Sequence, residues 1–428
     1  MRIAMVSEHA SPLAVLGGQD AGGQNVHVAA LSTALADLGH EVSVYTRRDD
    51  ADLPERQHLA PGVQVVHVPA GPARVLPKDD LHPFMGQMAQ WMAADWARSR
   101  PDVVHAHFWM SALATRDAVR LLDPADRPAT AVTFHALGVV KQRHQGAQDT
   151  SPPQRLGTER ALVADLGAVV ATCRDEVREL LALGADPQRL HVVPCGVDLA
   201  RFRPRGEHQV PWTPGATRLL CLGRLVERKG IETAIEALVS LPAAELVVAG
   251  GPDLAALDVD PDVSRLRAHA VDVGVADRVR FVGRVDPGAA ASLLRAADLL
   301  VAVPWYEPFG IVPLEAMACG TPVVASAVGG MLDTVEDGVT GRHVPPRDPA
   351  ALATAVQDLT SHPEQLAAAG RAGVQRVRAR YGWSQVATET AGVYDRLLPR
   401  AVSVREPAVL TGTSPVERLV RTRQKEDR

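Results

Sequence analysis

The segment DLLVAVPWYEPFGIVPLEAMACGTPVVASAVGG, residues 298–330, predicts the fold of this chain. Its apolar runs at 298–302 and 322–325 are typical of strands that are buried on both faces of a parallel sheet. A helix is predicted between them over 313–318, because proline is favoured at the first position of a helix. This order of strand, helix and strand indicates an α/β fold, in which ligands bind at the carboxyl ends of the strands.

Two carboxylates in this segment are candidate ligand-binding groups. Glu307 lies in the proline-flanked loop after the first strand, and Glu315 follows eight residues later, in the first turn of the predicted helix. The backbone amides of 309–312 lead into the helix N-terminus, where they can face a sugar or a phosphate. The alternatives are that Glu315 only interacts with the helix dipole, or that the two carboxylates belong to a glycosidase; no flanking geometry supports a glycosidase.

The same alternation of short β-branched runs and helical segments extends outward over most of the chain. It predicts a doubly wound parallel sheet in each half. The predicted strands are 2–6, 41–46, 63–68, 102–105, 130–134, 168–172, 190–194, 218–222, 245–249, 279–282, 298–302, 322–325 and 342–344. The predicted helices are 25–38, 82–98, 157–166, 230–241, 261–273, 288–297, 313–318, 349–359 and 383–398.

The chain has 428 residues, which is the length of two ordinary domains. A polar, proline-rich stretch marks the boundary between the two halves. We therefore expect two Rossmann-like domains that face a cleft and a last helix that crosses back to the first domain. The expected boundaries are 1–203 for the first domain, 204–217 for the linker, 218–380 for the second domain, 381–398 for the crossover helix and 399–428 for a flexible basic tail.

Composition excludes several classes of protein. The residues are 46% hydrophobic and 22% charged, with a net charge of −5, so the chain is globular and has no broad basic surface for nucleic acid. The four cysteines form no CxxC pair, which argues against a zinc cluster and suits a reducing cytoplasm. The first strand is too short for a signal peptide, and no run of about 18 apolar residues predicts a membrane span. A cytoplasmic location is expected.

A glycine pair follows the first predicted strand. Gly22 and Gly23 lead into the next helix, where backbone amides attract phosphate. The spacing matches neither GxGxxG nor GxxxxGK[ST], so a dinucleotide-binding dehydrogenase and a P-loop nucleotidase are disfavoured. His9, Asp20 and Asn25 add polar groups that a purely structural glycine loop would not need.

Histidines follow two other predicted strands. His107 and Phe108 come after the strand at 102–105, and His135 comes after the strand at 130–134. A single such histidine is more often structural than catalytic. Several at one sheet edge, beside an aromatic residue, favour a sugar-binding site over a zinc site, because their spacing is not that of zinc ligands.

Positively charged residues lie near the candidate loops of both halves of the chain. Arg224 and Lys229, five residues apart after a strand, suit a pyrophosphate leaving group. Lys78 and Arg155 would form an anion site if they meet in the first domain. Ordinary solvated surface charge is the alternative for each of these residues.

These segments together resemble the retaining glycosyltransferases of family 4, which have the GT-B architecture, from the first strand to about residue 398. The loop at 19–26, QDAGGQNV, is similar to that of the branch that acts on inositol 3-phosphate, and the run from His135 to Lys141 resembles sucrose-phosphate synthases. The resemblance implies a hexosyltransferase that uses a nucleotide diphosphate sugar, with a UDP-sugar favoured, and a small acceptor that carries a phosphate.

The resemblance also implies roles for individual residues. The first domain would bind the acceptor, and the second would bind the nucleotide sugar. Arg224, Lys229 and the glycine pair would hold the diphosphate, Glu315 the ribose, Arg284 a position beside the base, and Glu307 the donor sugar. His135 would lie next to the transferred sugar. The remaining donor-binding residues implied are Phe309, Gly310, Ile311 and Val312, and the acceptor-binding residues are His9, Asp20, Asn25, Lys78, His107, Phe108 and Arg155.

Two positions depart from the inositol phosphate branch. Phe108 stands where that branch has Tyr, and Ala136 stands where it has Thr. Each change removes a hydroxyl from the expected acceptor site, at a cost of about 1 kcal/mol. The remaining cations still favour an anionic acceptor, whereas the two lost hydroxyls disfavour inositol phosphate in particular.

Several rival functions share parts of this pattern. A non-hydrolysing nucleotide-sugar epimerase would not need Lys78 and Arg155, and a sugar-nucleotide-binding protein without turnover would not need the full set of Arg224, Lys229, Glu307 and Glu315. A phosphorylase relative would need pyridoxal phosphate on a lysine. The resemblance implies no required cofactor, leaves room for loosely bound Mg²⁺, and leaves homo-oligomerisation open.

Overall fold

The computed structural model describes residues 1–14, 22–206 and 212–398. These residues form two compact units, one of Met1–Pro194 together with the helix that starts at Trp383, and one of Cys195–Gly382. Asp20, part of the expected linker and the expected basic tail lie outside the described residues. Among the described helices, none combines the length and the apolar composition that crossing a membrane requires.

The strands fall close to their predicted positions, with one addition. In the first unit they are β1 Arg2–Val6, β2 Glu41–Arg47, β3 Arg56–Ala60, β4 Val63–Val68, β5 Val103–His107, β6 Ala129–Thr133, β7 Ala168–Ala171 and β8 Leu190–Val192. In the second unit they are β9 Thr217–Leu222, β10 Ala244–Ala249, β11 Val279–Gly283, β12 Leu299–Ala302, β13 Val323–Ser326 and β14 Gly341–Val344.

The helices cover the sheets in both units. They are α1 Gly23–Asp37, α2 Met85–Ser99, α3 Trp109–Leu121, α4 Gly138–Gln145, α5 Arg155–Asp165, α6 Arg174–Ala182, α7 Ile231–Ala237, α8 Pro261–Asp272, α9 Pro287–Ala296, α10 Ile311–Cys319, α11 Met331–Thr334, α12 Pro349–Thr360, α13 Pro363–Arg380 and α14 Trp383–Leu397.

The sheet of the first unit has the order β3-β4-β2-β1-β5-β6-β7-β8. All neighbours are parallel except the edge strand β3, which pairs antiparallel with β4. Strand β3 was not predicted from the sequence, because it is mostly exposed and polar. The last helix, α14, contributes Val386, Ala387 and Tyr394 to the same core as Val28 and Leu31 of α1. Helix α14 is therefore part of the first unit.

The sheet of the second unit is wholly parallel, with the order β11-β10-β9-β12-β13-β14. The expected end of the first domain at residue 203 is wrong. Cys195, Val197 and Phe202 pack in the core of the second unit, beside Leu220 and Tyr381. The chain therefore passes from one core to the other at Pro194, before the proline-rich stretch.

The helix of the opening segment begins earlier than predicted. Gly310 is its N-cap, and Ile311 is its first residue. Pro313 is then the third helical residue, where a backbone N–H is still not needed for the helix. Glu315 consequently lies beyond the first turn, so its predicted place in that turn is wrong, and the alternative in which it only interacts with the helix dipole loses its basis.

Candidate functional site

The predicted donor-binding residues of the second unit include a partly buried ion pair. Lys229 closes the single 3₁₀ turn Glu227–Lys229 after β9, and Glu307 lies in the loop after β12. These two strands are neighbours, so their carboxyl ends bring the two side chains together. The Lys229 Nζ atom donates a hydrogen bond to Glu307 Oε2. Their side chains are only 25% and 15% exposed.

The charges around Glu307 are mainly positive. The Arg228 guanidinium lies 4.0 Å from Glu307 Oε2, and Arg224 is close enough to act on both members of the pair. Burial lowers the pKa of the Lys229 ammonium, and Glu307 offsets only part of that effect. Burial raises the pKa of Glu307, but Lys229, Arg228 and Arg224 outweigh it, so this pKa lies below its usual value. Cations gathered around one carboxylate at this sheet edge are suited to binding a diphosphate.

Two glycines allow the loop of Glu307 to take this shape. Gly310 has φ +91°, a left-handed conformation that favours glycine, and a Cβ there would lie 2.8 Å from the sulfur of Met331. A Cβ on Gly330 would lie 2.3 Å from Phe309 Cα, a distance that real side chains do not reach. The backbone of 307–310 and the backbone of 329–330 are therefore fitted to each other.

Helix α10 and the two residues before it supply the remaining predicted donor groups. Phe309 is buried, whereas Ile311 and Val312 at the helix N-terminus are only partly covered. Glu315 is also partly covered, and no hydrogen-bond partner of its carboxylate occurs among the described residues. Burial raises its pKa to about 7, with Arg201 acting in the opposite direction. A carboxylate of this kind can accept hydrogen bonds from hydroxyl groups of a ligand.

Arg284 lies at the carboxyl end of β11 and is already paired. Its Nε and Nη2 atoms donate to the two oxygens of Asp253 at 2.8 and 2.6 Å, and its side chain is 37% exposed. The structure gives it no contact with Glu307 or Lys229. Its predicted position beside the nucleotide base stays a prediction.

An aromatic contact near Glu307 was not predicted from the sequence. The Arg347 guanidinium lies 3.6 Å from the centre of the Trp305 ring, and Arg347 has φ +59°. A positive φ at a bulky residue is uncommon and signals local strain. No motif in the sequence links these two positions. Arg228 was not predicted either, because the five-residue spacing of Arg224 and Lys229 gives no signal for it.

In the first unit, two predicted residues have strained backbones. Phe108 follows β5 with φ +87°, and His135 follows β6 with φ +60°. β5 and β6 are neighbouring parallel strands, so these residues lie side by side at one sheet edge. The amide of Ala136 donates to the carbonyl of Phe134 at 2.7 Å, which closes a γ-turn around His135. γ-turns with a positive φ at the central residue are rare and strained, and such strain is concentrated at functional sites.

Four histidines form a cluster at this edge. His107 Nδ1 lies 3.0 Å from His135 Nε2, and the ring of His27, which the sequence analysis did not single out, packs against both. His105 hydrogen-bonds Tyr394 and Thr133 with its two nitrogens, at 2.7 and 2.9 Å.

The histidines of this cluster are neutral near pH 7. Burial lowers the pKa of His27 to about 4, and burial together with His27 lowers that of His105 to about 3. Burial, with the other histidines nearby, also holds the pKa values of His107 and His135 well below the usual value.

The same cluster is the group among the described residues that could hold a metal ion. One nitrogen from each of His27, His107 and His135 lies within 4.8 Å of the others. Zinc would bring such nitrogens to within about 2.1 Å of itself. If the nitrogens that face each other in the His107–His135 hydrogen bond were two of the ligands, that hydrogen bond would have to break, because one of them carries the hydrogen and a metal needs a lone pair from each.

The predicted acceptor-binding residues meet around the Phe108 ring. The His9 ring packs edge-on against it at 4.9 Å, Lys78 Nζ lies 5.6 Å from its centre, and the Arg155 guanidinium lies 5.0 Å away. His9 is oriented by Glu8, a buried carboxylate that accepts its Nδ1–H at 2.7 Å. Glu8 was not identified from the sequence, where it is one acidic residue beside a histidine.

Arg155 is buried and heavily engaged within the protein. Its Nε donates to Glu159 at 2.8 Å, its Nη1 to Ser151 at 3.1 Å, and its Nη2 to the carbonyl of Ala136 at 2.5 Å. Only 2% of the residue is exposed. The same side chain therefore fixes the backbone after His135.

The glycine loop is held by Asn25. The Gly22 amide donates to Asn25 Oδ1 at 3.0 Å, and Asn25 Nδ2 donates to the carbonyl of Ser11 at 2.9 Å. Gly22 is the N-cap of α1, Gly23 is its first residue, and a Cβ on Gly22 would meet no atom of the described residues within 4 Å. Asn25 thus uses both ends of its amide to shape the described part of the loop.

Comparison with known proteins gives matches over nearly the whole chain. Two family models match, Glycosyltransferase Family 4 at residues 21–201 and Glycosyl transferases group 1 at residues 207–376. The chain is 39% identical to D-inositol 3-phosphate glycosyltransferase 2 of Catenulispora acidiphila, over 95% of this chain and 97% of that protein. It is 36% identical to the D-inositol 3-phosphate glycosyltransferase of Acidothermus cellulolyticus, over 95% and 92%.

Solved structures agree with this result. The sucrose-phosphate synthase of Thermosynechococcus elongatus is similar with a TM-score of 0.82 and 31% identity, over 92% of this chain and 98% of that one. Anabaena HepE in complex with UDP is similar with a TM-score of 0.71 at 20% identity, over 92% and 100%, which shows the fold alone.

Proposed function

Because this chain belongs to the glycosyltransferase family whose group 1 and family 4 models it matches, we propose that it moves a hexose from a nucleotide diphosphate sugar to a small phosphorylated polyol or sugar, with retention of anomeric configuration. Residues of the second unit hold the donor in this proposal, and residues of the first unit hold the acceptor. It is an enzyme of the hexosyltransferase type, which the sequence pattern predicts and its relatives support.

The arrangement of Glu307, Lys229, Arg228 and Arg224 carries the proposal. When the bond between the anomeric carbon and the diphosphate breaks, negative charge develops on the leaving group. Cations held in place before the reaction stabilise that charge without reorganising, and three cations face one carboxylate at this sheet edge. Glu307 both orients Lys229 and offers a carboxylate oxygen to a sugar hydroxyl.

The transferred sugar would lie next to His135 in this proposal. His135 is neutral near pH 7, because burial and the neighbouring histidines lower its pKa. A neutral imidazole can donate or accept a hydrogen bond without adding positive charge next to an oxocarbenium-like sugar. The leaving phosphate then takes the acceptor proton, and no carboxylate nucleophile is required.

The acceptor in this proposal is anionic. Lys78 lies beside the Phe108 ring, near the buried pair of Arg155 and Glu159, and both groups of relatives, the D-inositol 3-phosphate glycosyltransferases and the sucrose-phosphate synthase, are named for phosphorylated compounds. Phe108 and Ala136 lack the hydroxyls that the inositol phosphate branch has at these positions. We therefore include sugar phosphates beside inositol 3-phosphate as candidate acceptors.

UDP is the nucleotide we favour. In this proposal the cations do the work of a metal, so no metal cofactor is required.

A cytoplasmic location is also part of the proposal. Cys173, Cys195, Cys221 and Cys319 are all buried, and no disulfide joins any of these four, which suits a reducing compartment.

A donor-by-acceptor matrix read by mass spectrometry tests this function. The donors are the UDP and GDP forms of glucose, N-acetylglucosamine and mannose, with ADP-glucose. The acceptors are inositol 3-phosphate, fructose 6-phosphate and their unphosphorylated forms. Product with phosphorylated acceptors only is the expected result. Product with neutral acceptors only, or conversion of the donor without any acceptor, would refute the proposed acceptor class.

A further inference from the structure

His107 is held against His135 by one short contact between their rings. His107 Nδ1 and His135 Nε2 are 3.0 Å apart, so one nitrogen carries the hydrogen and the other accepts it. The two side chains leave neighbouring parallel strands, and their rings stack with centroids 5.2 Å apart. The direction of this hydrogen bond decides which nitrogen of His135 carries a proton.

Burial of the other His107 nitrogen fixes the direction. His107 Nε2 is fully buried and has no hydrogen-bond partner among the described residues. A buried N–H without an acceptor is rarer and costlier than a buried lone pair without a donor. A neutral imidazole has one N–H, and His107 is neutral, so this hydrogen lies on Nδ1. His107 therefore donates, and His135 Nε2 accepts.

This hydrogen bond leaves His135 with its own hydrogen on Nδ1. His135 is neutral as well, so a ring that accepts at Nε2 carries its proton at Nδ1. No group among the described residues pairs with His135 Nδ1. The γ-turn and the positive φ fix the backbone from which the ring projects. The protein thus fixes the position of the ring, and among the described residues no acceptor pairs with this Nδ1–H.

We propose that His107 is a positioning residue for His135, which it locks in the Nδ1–H form so that this N–H donates to an oxygen of the transferred sugar. The inference rests on the proposed function for the role of the sugar. It replaces the expectation that His107 contacts the acceptor, because His107 is 0% exposed and Phe108, next to it, is the residue that the cations flank.

Two amide substitutions test the proposal. The side-chain nitrogen of Asn can occupy the place of His Nδ1, whereas that of Gln reaches the place of Nε2. His107→Asn should keep the donated hydrogen bond and a kcat within about threefold of the wild type. His107→Gln should lose it and lower kcat about 100-fold, the scale of a misplaced reacting group, with an unchanged KM for the acceptor. Equal losses in both variants, or a raised acceptor KM with an unchanged kcat, would overturn the proposal.

A spectroscopic measurement keeps the test independent of turnover and of how well the variants fold. Long-range ¹H–¹⁵N spectra of the full-length wild type with ¹⁵N-labelled histidine report the tautomer of each ring. The His135 signals, assigned through His135→Asn, should show a protonated Nδ1 and a bare Nε2. The opposite tautomer would refute the inference even if the transfer activity is as proposed. The expected tautomer in a protein that transfers no sugar would instead refute the proposed function alone.

Discussion

The amide of Gly330 donates a hydrogen bond to the carbonyl oxygen of Glu307 at 3.0 Å. The loop after β13 thereby fixes the backbone of the loop after β12, from which the Glu307 side chain reaches Lys229. The geometry of the ion pair depends on this backbone contact, which only a residue without a side chain permits.

Gly330→Ala should therefore impair donor use. The new Cβ would lie 2.3 Å from Phe309 Cα and 2.5 Å from its carbonyl oxygen, so the loop must move. A displacement of this size at positioning groups costs about 100-fold in kcat/KM for the donor. Gly86→Ala is the control, because a Cβ there meets nothing within 4 Å. Steady-state kinetics that show equal activity of the two variants would contradict the idea that donor use depends on the close fit of these two loops.

The ion pair itself should be required for transfer. Glu307→Gln or Lys229→Met leaves a buried charge without its partner and should lower kcat/KM for the donor at least about 100-fold. Arg218 and Asp298 offer a matched control, since they form an ion pair with a 2.5 Å contact between the other ends of β9 and β12. Arg218→Met should lower the melting temperature and leave the kinetics intact. Wild-type turnover by either site variant would disprove the assignment.

Glu315 should make donor binding dependent on pH. Its pKa is about 7 in the folded protein because of burial, so the carboxylate is protonated as the pH falls below 7. The neutral form is a weaker acceptor of ribose hydroxyls, and the donor KM should rise up to about tenfold per pH unit below that point. Glu315→Gln should give a high KM that does not change between pH 6 and 8. A wild-type donor KM that is flat over this range would exclude the role.

The same variant should change stability in a defined direction. The folded pKa of Glu315 lies above the unfolded value of 4.5, so burial of this group costs stability as the pH rises from about 4.5 through 7. Glu315→Gln removes this cost and should stabilise the ligand-free protein by up to about 3 kcal/mol at pH 8, with no gain near pH 4. Calorimetry at both pH values measures it, and a destabilised variant at pH 8 would contradict the expectation.

Phe108→Tyr should improve the use of a phosphorylated acceptor. Lys78 Nζ and the Arg155 guanidinium lie 5.6 and 5.0 Å from the centre of this ring, and a hydroxyl there adds one donor to the proposed anion site. One such hydrogen bond is worth about 1 kcal/mol, or roughly a fivefold lower acceptor KM. Phe281→Tyr is the control, because Arg267 lies 5.8 Å from the centre of that ring, in the second unit. A lower KM for unphosphorylated acceptors as well would show that the hydroxyl does not act on the phosphate.

The sequence allowed the sheets and the second-unit site to be predicted because their signals are local. Buried parallel strands are continuous apolar runs, and Glu307 and Lys229 follow two such runs directly. The edge strand β3 gave no such signal, since an exposed edge needs no apolar pattern. The start of α10 was misplaced because Pro313 is tolerated at the third helical position as well as at the first.

Contacts that depend on side-chain conformation, or that join residues far apart in sequence, could not be predicted. Nothing in the sequence indicates that Glu8 orients His9, or that Arg347 stacks on Trp305. The direction of the hydrogen bond between His107 and His135 depends on burial of one nitrogen, and burial at that scale is a property of the packed structure.

The membership of α14 in the first unit affects how the protein is made. The ribosome must synthesise the 188 residues of 195–382, which takes roughly 10–40 s, before the helix that completes the first core exists. Until then the α1 surface around Val28 and Leu31 lacks its cover, and His105 lacks Tyr394. The second unit is continuous in sequence and can finish folding first. A nascent chain that stops before Trp383 therefore presents exposed apolar surface to chaperones, and the N-terminal unit is the last to be completed.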